Sequence, residues 1–459
     1  MTTDHCEHDF PTPGTGRASG EPRPRLEFFG VRQLGQIPQL THLSPRQRHE
    51  MEVVAQVLPF RVNRYVTDQL IDWRRVPDDP VFQFTFPQKG MLSPEHFDRV
   101  SSALASGDRE RLKSEVGAIR KELNPHPAGQ LGLNVPRQDG ERLGGVQHKY
   151  AETVLFFPSR GQTCHTYCSF CFRWAQFIGD TDLRFSSGEF DRLHRYLRSH
   201  LEVSDLLITG GDPMVMKTRH LADLIDGLLD PALEHVQDIR IGTKSLSFWP
   251  YRYVTDRDAD DLLRLFERIV ESGRHLALMA HVNHWRELET PIVREAIRRI
   301  RDTGAVIRTQ APLLAHVNDD PHVWNRLWRT QLGLGLVPYY MFVERDTGAR
   351  RYFEVPLIRA WHIYREAASR LTGLGRTVRG PSMSATPGKV EVLGVEEVHG
   401  ERVFVLRFLQ ARDPSWCYRP FHACYDEQAT WLDQLRPAFG KRHFFFEDEF
   451  QSPGSLALH

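Results

Sequence analysis

Cysteines are few, long hydrophobic runs are missing and neither sign of charge is in excess, and each absence excludes a class of protein. Six cysteines among 459 residues are too few for a disulfide scaffold, which favours a reducing, cytoplasmic compartment. No apolar run approaches the roughly 20 residues that span a bilayer, and the N-terminus has no secretory hydrophobic segment. The 59 basic and 59 acidic residues cancel, so neither nucleic acid nor a membrane is expected as a partner.

What remains is the composition of a globular protein, with 40% hydrophobic and 26% charged residues, and we expect an enzyme. Residues 1–25 are rich in proline, glycine, aspartate and histidine without an apolar period, which predicts a disordered tail. Residues 26–147 follow an interrupted helical pattern, in which Ser44 and Ser93 each precede a proline as N-caps do. This region is therefore predicted to be a helical N-terminal domain.

Beyond residue 148, short runs rich in valine, isoleucine and leucine alternate with charged stretches of helical period. The runs are 153–157, 205–209, 238–242, 275–282, 305–310 and 337–342. Such alternation is typical of βα units on a parallel sheet. It predicts an α/β fold, with a partial (β/α)6 TIM-like barrel over residues 148–380 whose chemistry lies at the carboxyl ends of the strands. A small C-terminal extension, 381–459, contains a predicted hairpin that turns near 398–401.

Three cysteines follow the first of these runs at a spacing that suits a metal cluster. Cys164, Cys168 and Cys171 are separated by three and then two residues, and thiolates are the ligands that iron–sulfur clusters use. Three of them can bind three irons of a [4Fe–4S] cluster and leave the fourth iron open. The alternatives are three reduced structural thiols, or zinc, which normally takes four protein ligands when it is structural.

With Phe170 just before its last cysteine, this loop resembles that of the radical S-adenosylmethionine (SAM) enzymes. The resemblance implies a radical SAM barrel in which SAM binds the open iron and is cleaved to a radical that abstracts hydrogen. Gly210, Gly211 and Asp212 follow the second run, where a similar segment of that family binds the SAM amino group. Paired glycines let backbone approach a ligand, and a carboxylate can accept from an ammonium group. The alternative for this segment is an ordinary turn.

The resemblance narrows to the lysine 2,3-aminomutase family, whose members bind pyridoxal 5′-phosphate (PLP) as well as SAM. Segments similar to that family are 60–92, 171–173, 239–245, 281–284, 317–319 and 337–340. The resemblance implies an isomerase that moves an amino group from the α- to the β-carbon of a free amino acid. It also implies a reducing partner of the flavodoxin or ferredoxin type, and we expect a homo-oligomer.

The family forms a Schiff base between PLP and a lysine in a glycine-rich segment, and Lys389 occupies that place. The alternative is a surface lysine in a turn. Lys149 and Tyr150 lie where the family contacts the PLP phosphate. Two departures are evident: the glycine run is reduced to Gly388, and residues 384–386 lack the acid often seen in lysine enzymes.

The resemblance assigns substrate binding to two further residues. Arg173 matches a family arginine that pairs with the amino acid carboxylate, for which the guanidinium offers a planar fork. Asp319 matches a carboxylate that recognises the distal ammonium of lysine, and the substrate is expected to be basic, lysine or arginine. The alternatives are a surface arginine and, for Asp319, a helix N-cap ahead of Pro321.

Three further questions stay open at this point. Cys417, His422 and Cys424 are either zinc ligands, as in some family members, or ordinary reduced thiols and a histidine. The first alternative function is a PLP-independent radical SAM enzyme: a deaminase, epimerase or dehydratase on a related scaffold. The second is a non-catalytic metal-binding protein that uses the same three cysteines.

Overall fold

The computed structural model describes residues 24–125, 132–180 and 182–450, with side chains through residue 447. The tail predicted for residues 1–25 therefore lies almost wholly outside the described residues. Within these ranges no helix is long and apolar enough to cross a membrane.

Fifteen strands and thirteen α-helices make up the described chain. The strands are β1 Phe28–Gly30, β2 Arg61–Asn63, β3 Arg137–Gln138, β4 Glu141–Arg142, β5 Val146–Tyr150, β6 Thr153–Phe156, β7 Asp205–Ile208, β8 Asp238–Thr243, β9 His275–His281, β10 Val306–Leu313, β11 Val337–Val343, β12 Arg379–Ser384, β13 Gly388–Val398, β14 Glu401–Ala411 and β15 Pro420–Cys424. The helices are α1 Pro45–Val57, α2 Pro80–Thr85, α3 Pro94–Ala105, α4 Arg109–Leu123, α5 Phe190–Arg198, α6 Thr218–Leu228, α7 Ser245–Phe248, α8 Ala259–Glu271, α9 Pro291–Asp302, α10 Pro321–Gly333, α11 Arg350–Phe353, α12 Leu357–Ser369 and α13 Phe445–Phe450.

Eleven of the strands form one sheet, in the order β15-β14-β13-β12-β11-β10-β9-β8-β7-β6-β5. Strands β6 to β12 are parallel, β5 is antiparallel at one edge, and β13 to β15 form an antiparallel meander at the other. All six runs predicted from the sequence are strands of the parallel part, which confirms the α/β class. The structure adds a seventh parallel strand, β12, that the sequence analysis did not predict.

The two faces of the parallel strands differ in polarity. On β8, Ile239 and Ile241 are fully buried in the main hydrophobic core, which includes side chains of helices α5, α6, α8 and α9. Arg240 alternates with them and forms an ion pair with Asp205 of β7. Because successive side chains of a strand point to opposite faces, the helices cover one face and polar groups line the other.

The N-terminal region packs against the loop that carries the three cysteines. The predicted N-caps are confirmed, since Ser44 Oγ accepts from Gln47 N at 3.2 Å and Ser93 Oγ accepts from His96 N at 3.1 Å. Farther along, the Tyr167 N–H donates to the Arg61 carbonyl at 2.8 Å, and the Ser169 N–H donates to the Phe84 carbonyl at 2.9 Å. The region thus fixes the backbone of the cysteine loop.

Candidate active site

The three cysteines lie together, each half-buried, in the loop between β6 and α5. Burial raises the pKa of all three thiols, that of Cys171 to about 11. Neighbouring cysteines raise the pKa of Cys164 and that of Cys168 further, so the thiols lie close to one another. The loop tightens through the Cys171 N–H, which donates to the Cys168 carbonyl at 3.1 Å. Without metal the site therefore favours neutral thiols, and only a bound cation makes three thiolates favourable there.

Aromatic rings support this loop from three sides. The buried Phe170 ring lies 6.1 Å from the ring of Phe84, 6.1 Å from that of Phe353 and 5.5 Å from that of His281. An apolar wall of this kind limits access of water to whatever the cysteines bind.

The arrangement of the three cysteines does not match a site for a single metal ion. In the described ranges no three His, Cys, Asp or Glu side chains converge on a point as the ligands of one metal ion do. A structural zinc would need four such ligands on one atom, whereas a [4Fe–4S] cluster binds each thiolate to a different iron. This counts against a structural zinc, and the cluster stays a prediction from the spacing of the cysteines.

The C-terminal cysteines do not form a metal site in the described structure. Cys424 donates through Sγ to the Pro437 carbonyl at 3.2 Å and to Glu401 Oε1 at 3.4 Å. Cys424 and His422 lie opposite Val403 and Val405 of β14, and Cys417 forms a bridge with Phe408 farther along the same strand. The arrangement supports ordinary thiols over a zinc site.

Gly210 and Gly211 are required by a close approach of two backbone segments. The Asp212 N–H donates to the Thr163 carbonyl at 2.7 Å and to the Gly161 carbonyl at 3.0 Å. A Cβ on Gly211 would lie 2.5 Å from both N and O of Thr163, and Gly210 has φ +145°. The glycine segment therefore packs directly on the residue that precedes Cys164, and it is not an isolated turn.

Replacing Gly211 by alanine is expected to lower the free energy of unfolding by about 1–3 kcal/mol, because the added methyl group overlaps with backbone. Urea unfolding measures this change. Gly117, in α4, is the matched control, since no heavy atom lies within 4 Å of a Cβ placed there. Gly117→Ala is expected to stabilise the protein by up to about 1 kcal/mol, and a Gly211→Ala variant as stable as wild type would contradict the packing argument.

Asp212 is buried and its carboxylate is already engaged. Oδ1 accepts from Thr243 Oγ1 at 2.7 Å and from the Met214 N–H at 2.9 Å, and Oδ2 accepts from the Lys244 N–H at 2.9 Å. Burial raises the Asp212 pKa to about 6. These contacts join the carboxyl ends of β7 and β8, so Asp212 orders the loop at this edge of the sheet, and binding of an ammonium group by Asp212 stays a prediction.

Arg173 lies beside the thiols and is buried, so the surface alternative is wrong. It is 7% exposed, its guanidinium carbon lies 4.2 Å from the Phe157 ring centre, and Nη2 donates to Gln162 Oε1 at 3.4 Å. Burial lowers the Arg173 pKa to about 10, and Nε has no hydrogen-bond partner. A buried cation with an unpaired donor is costly unless an anion joins it, which suits a carboxylate ligand.

Lys389 is half-buried on β13, so the surface-turn alternative is also wrong. Its Nζ lies 4.1 Å from the centre of the Tyr340 ring and donates to Gln410 Oε1 at 3.3 Å. Burial, helped by the charges of Arg240 and Arg379, lowers the Lys389 pKa to about 7. Much of the amine is therefore neutral at physiological pH, the form that attacks a carbonyl group.

A group of cations surrounds the segment that leads to Lys389. Lys149 donates to the Ala385 carbonyl, and Arg412 Nε donates to the Thr386 carbonyl at 3.1 Å. Burial lowers the Lys149 pKa well below its usual value, with Arg412, Arg345 and Lys389 adding to the effect. Burial raises the pKa of the adjacent Tyr150, against the pull of the two arginines. The two arginines supply positive charge beside a Lys149 amine that would be protonated again next to an anion, and such a half-buried set of donors suits a phosphate group.

Asp319 lies in the loop ahead of α10. Its side chain is exposed, and its carbonyl accepts from Arg359 Nη2 at 3.2 Å. The N-cap of α10 is the next residue, Asp320, whose Oδ1 accepts from the His322 N–H at 2.7 Å. The capping role considered for Asp319 was therefore assigned one residue too early.

Sequence reasoning missed several buried polar groups near the cysteines. Lys244 Nζ lies between Glu287 Oε2 at 2.6 Å and Asn283 Oδ1 at 2.9 Å, and its charge lowers the pKa of Cys168. His281 is half-buried, and its Nε2 atom is buried without a hydrogen-bond partner. Apart from Glu287, these residues lie in the segments 239–245 and 281–284 that resemble the family, but nothing in the spacing of the segments indicates that they meet.

Comparison with known proteins bears on this site. No family model matches the sequence. The chain is 29% identical over 377 residues to an Aquifex aeolicus protein named as a candidate L-lysine 2,3-aminomutase, covering 82% of this chain and 87% of the relative. It is 27% identical over 236 residues to the L-lysine 2,3-aminomutase of Haemophilus influenzae, covering 51% and 65%. It is 28% identical over 210 residues to the glutamate 2,3-aminomutase of Clostridioides difficile, covering 46% of each.

Among solved structures, SuiB of Streptococcus suis matches 62% of this chain and 64% of its own, with a TM-score of 0.34 and 11% identity. The match to the Aquifex aeolicus relative extends over most of the chain, and the other two matches extend over about half of it. The chain is therefore similar to the lysine 2,3-aminomutases, which confirms the resemblance that its motifs indicate.

Proposed function

We propose that the protein is a PLP-dependent radical SAM 2,3-aminomutase that acts on a free, basic amino acid. The observation that carries the proposal is the half-buried Lys389 amine, whose pKa is lowered to about 7 next to a half-buried group of basic side chains. An ordinary surface lysine has neither feature. The same sheet carries the cysteine loop that fits an iron–sulfur cluster.

The cysteine loop and the glycine segment would hold the cluster and SAM. Cys164, Cys168 and Cys171 would bind three irons of the cluster, and the segment Gly210–Asp212 would bind the amino group of SAM. When bound, these groups supply a one-electron cleavage that yields a hydrogen-abstracting radical. The chain's own contribution is to position the reactants and to exclude water, for which the aromatic wall around Phe170 is suited.

Lys389 would hold the aldehyde carbon of PLP, with Lys149 and Arg412 on its phosphate. When bound, PLP supplies the electron system across which nitrogen moves between neighbouring carbons. Lys149 and Arg412 both donate to backbone carbonyls of the segment before Lys389. They therefore fix the lysine-bearing strand in addition to supplying charge, and this supports a phosphate site despite the single glycine.

Arg345 links the two halves of the proposed site. Its guanidinium carbon lies 5.4 Å from the centre of the Phe172 ring, next to Cys171, and its charge lowers the pKa of Lys149. The cysteine loop and the cations proposed to bind the phosphate therefore both lie beside Arg345. A substrate between them would reach both, as a reaction that uses both cofactors requires.

We propose further that strands β6 to β12 form the partial barrel expected from the sequence. Lys149, on the edge strand β5, donates to the carbonyl of Ala385, just beyond β12. This side-chain contact brings together residues from both ends of the parallel part and supports curvature around a shared polar interior.

For the substrate, Arg173 is the carboxylate partner and Asp319 the candidate for the distal ammonium. Asp319→Asn is expected to raise the KM for lysine or arginine about tenfold, because a charge-assisted contact is lost, and to leave the KM for glutamate unchanged. Steady-state kinetics on the three amino acids test this. An unchanged KM for every substrate would exclude Asp319 from substrate recognition.

The test of the proposed function is anaerobic incubation of reconstituted protein with SAM, a reductant and a panel of amino acids. Mass spectrometry and chromatography should show a β-amino isomer of a basic amino acid. Deoxyadenosine with a different product would favour the PLP-independent radical SAM enzyme. Intact SAM with bound iron would favour the non-catalytic metal-binding protein.

A further inference from the structure

A basic cavity opens outside the site described above. It lies between the N-terminal part of α6 and the length of α8 and has a volume of about 640 Å³. Its lining includes five cations, Lys217, Arg219, Arg257, Arg264 and Arg268, but only two acids, Asp258 and Asp261. The chain as a whole has no net charge, so this concentration of cations is a local property.

Three of these cations keep their full charge available to a partner. Arg264 pairs with Asp261, and Arg268 pairs with Asp226 at 2.6 Å. Within the described ranges, Lys217, Arg219 and Arg257 have no carboxylate within the 4.0 Å of an ion pair, and all three are exposed. Exposed, unpaired charges of one sign steer an oppositely charged partner toward a surface.

The cavity is built on the same loop as the edge of the cluster site. Arg252, 3% exposed, donates to the Met214 carbonyl at 3.0 Å, to Thr218 Oγ1 at 3.0 Å and to Asp258 Oδ1 at 2.8 Å. Lys217 is five positions after Asp212, so their Cα atoms lie at most about 18 Å apart. Asp212 in turn bonds to Thr163, next to Cys164.

We propose that this basic cavity is the docking surface for an acidic, one-electron flavoprotein that reduces the cluster. The inference rests on the proposed function, which requires such a donor. In this step the carrier loses one electron and the cluster gains it, and no bond is formed or broken. A protein partner suits the surface because its cations are exposed and spread over two helices, whereas small-molecule sites bury most of their ligand.

The test compares two reductants on the reconstituted holoenzyme. The charge-reversal variant Arg219→Glu/Arg257→Glu is mixed with a reduced acidic flavodoxin, and bleaching of the iron–sulfur absorbance is followed by stopped flow. Reduction is expected to slow on the order of tenfold or more at low salt. Added salt should slow the wild type and leave the variant almost unchanged. Photoreduced deazaflavin, a small uncharged reductant, should reduce both proteins at the same rate.

The matched control is Arg109→Glu/Lys113→Glu, which makes the same change of charge on exposed residues of α4. It should keep the wild-type rate with flavodoxin. Equal slowing in both double variants, or no slowing in either, would overturn the docking surface. Failure of the wild type to cleave SAM with deazaflavin would instead overturn the proposed function, and flavodoxin affinity measured by calorimetry would then test the surface by itself.

Discussion

Replacing Lys389 by alanine should abolish the PLP absorbance of the reconstituted protein and lower its isomerase activity by about 10²–10⁴-fold, the cost of losing a positioned catalytic group. The reason is that Lys389 supplies the amine of the proposed Schiff base and no other lysine shares its surroundings. Lys149 is the other lysine near this site, but its Nζ donates a hydrogen bond to the Ala385 carbonyl. The iron–sulfur absorbance should stay unchanged, which separates this loss from unfolding.

The lowered pKa of Lys389 gives the prediction a pH dependence. Because the amine titrates near 7, its neutral fraction falls about tenfold per pH unit below that value. Formation of the PLP absorbance should therefore accelerate as pH rises to about 7 and then level off. A rate that keeps rising through pH 9 would show an ordinary lysine. The matched control is Lys217→Ala, which removes an exposed lysine and should leave both the absorbance and the pH profile intact.

The strands that the sequence predicts are those whose own residues carry the signal. On β8, apolar residues alternate with polar ones, and on β9 they run almost without interruption, so burial marks both. β12 was missed because Arg379–Ser384 contains glycine, proline and two serines instead of an apolar run. It is a strand because β11 and β13 lie on its two sides and pair with it. Such context is invisible to a local pattern.

The site residues also divide into those with a local sequence signal and those that only the fold brings together. The cysteines, the paired glycines and Lys389 stand in short motifs, and a motif can be found without the fold. Arg412 comes next to Lys389 only through the pairing of β13 with β14, in which Gly388 lies opposite Ala411. That register follows from the predicted hairpin. Arg412 could therefore have been found by counting residues along both strands from the turn near 398–401. Arg345 could not, since it follows β11 and its contact with the Phe172 ring joins two segments that are far apart in the sequence.

Replacing any one of Cys164, Cys168 and Cys171 by serine should reduce bound iron from about four atoms per chain to nearly none. Each thiolate binds its own iron in the proposed cluster, and serine oxygen is a poor substitute for a soft thiolate ligand. SAM cleavage with deazaflavin should fall below detection in all three variants. Cys424→Ser is the matched control, because Cys424 donates to carbonyl and carboxyl oxygens in the C-terminal extension, and it should retain iron.

The three variants also test the fold of the loop without any cofactor. Since burial keeps the thiols neutral, a serine hydroxyl replaces a neutral S–H in the apo protein, and apo stability should change little. Cluster binding stabilises only the wild type, because a ligand that binds the native state raises its free energy of unfolding. The melting temperature should therefore rise on reconstitution for the wild type and for Cys424→Ser, and stay constant for the three loop variants. Iron retained in a loop variant, with an unchanged rise in melting temperature, would place the cluster on other ligands and remove the basis for SAM binding at this loop.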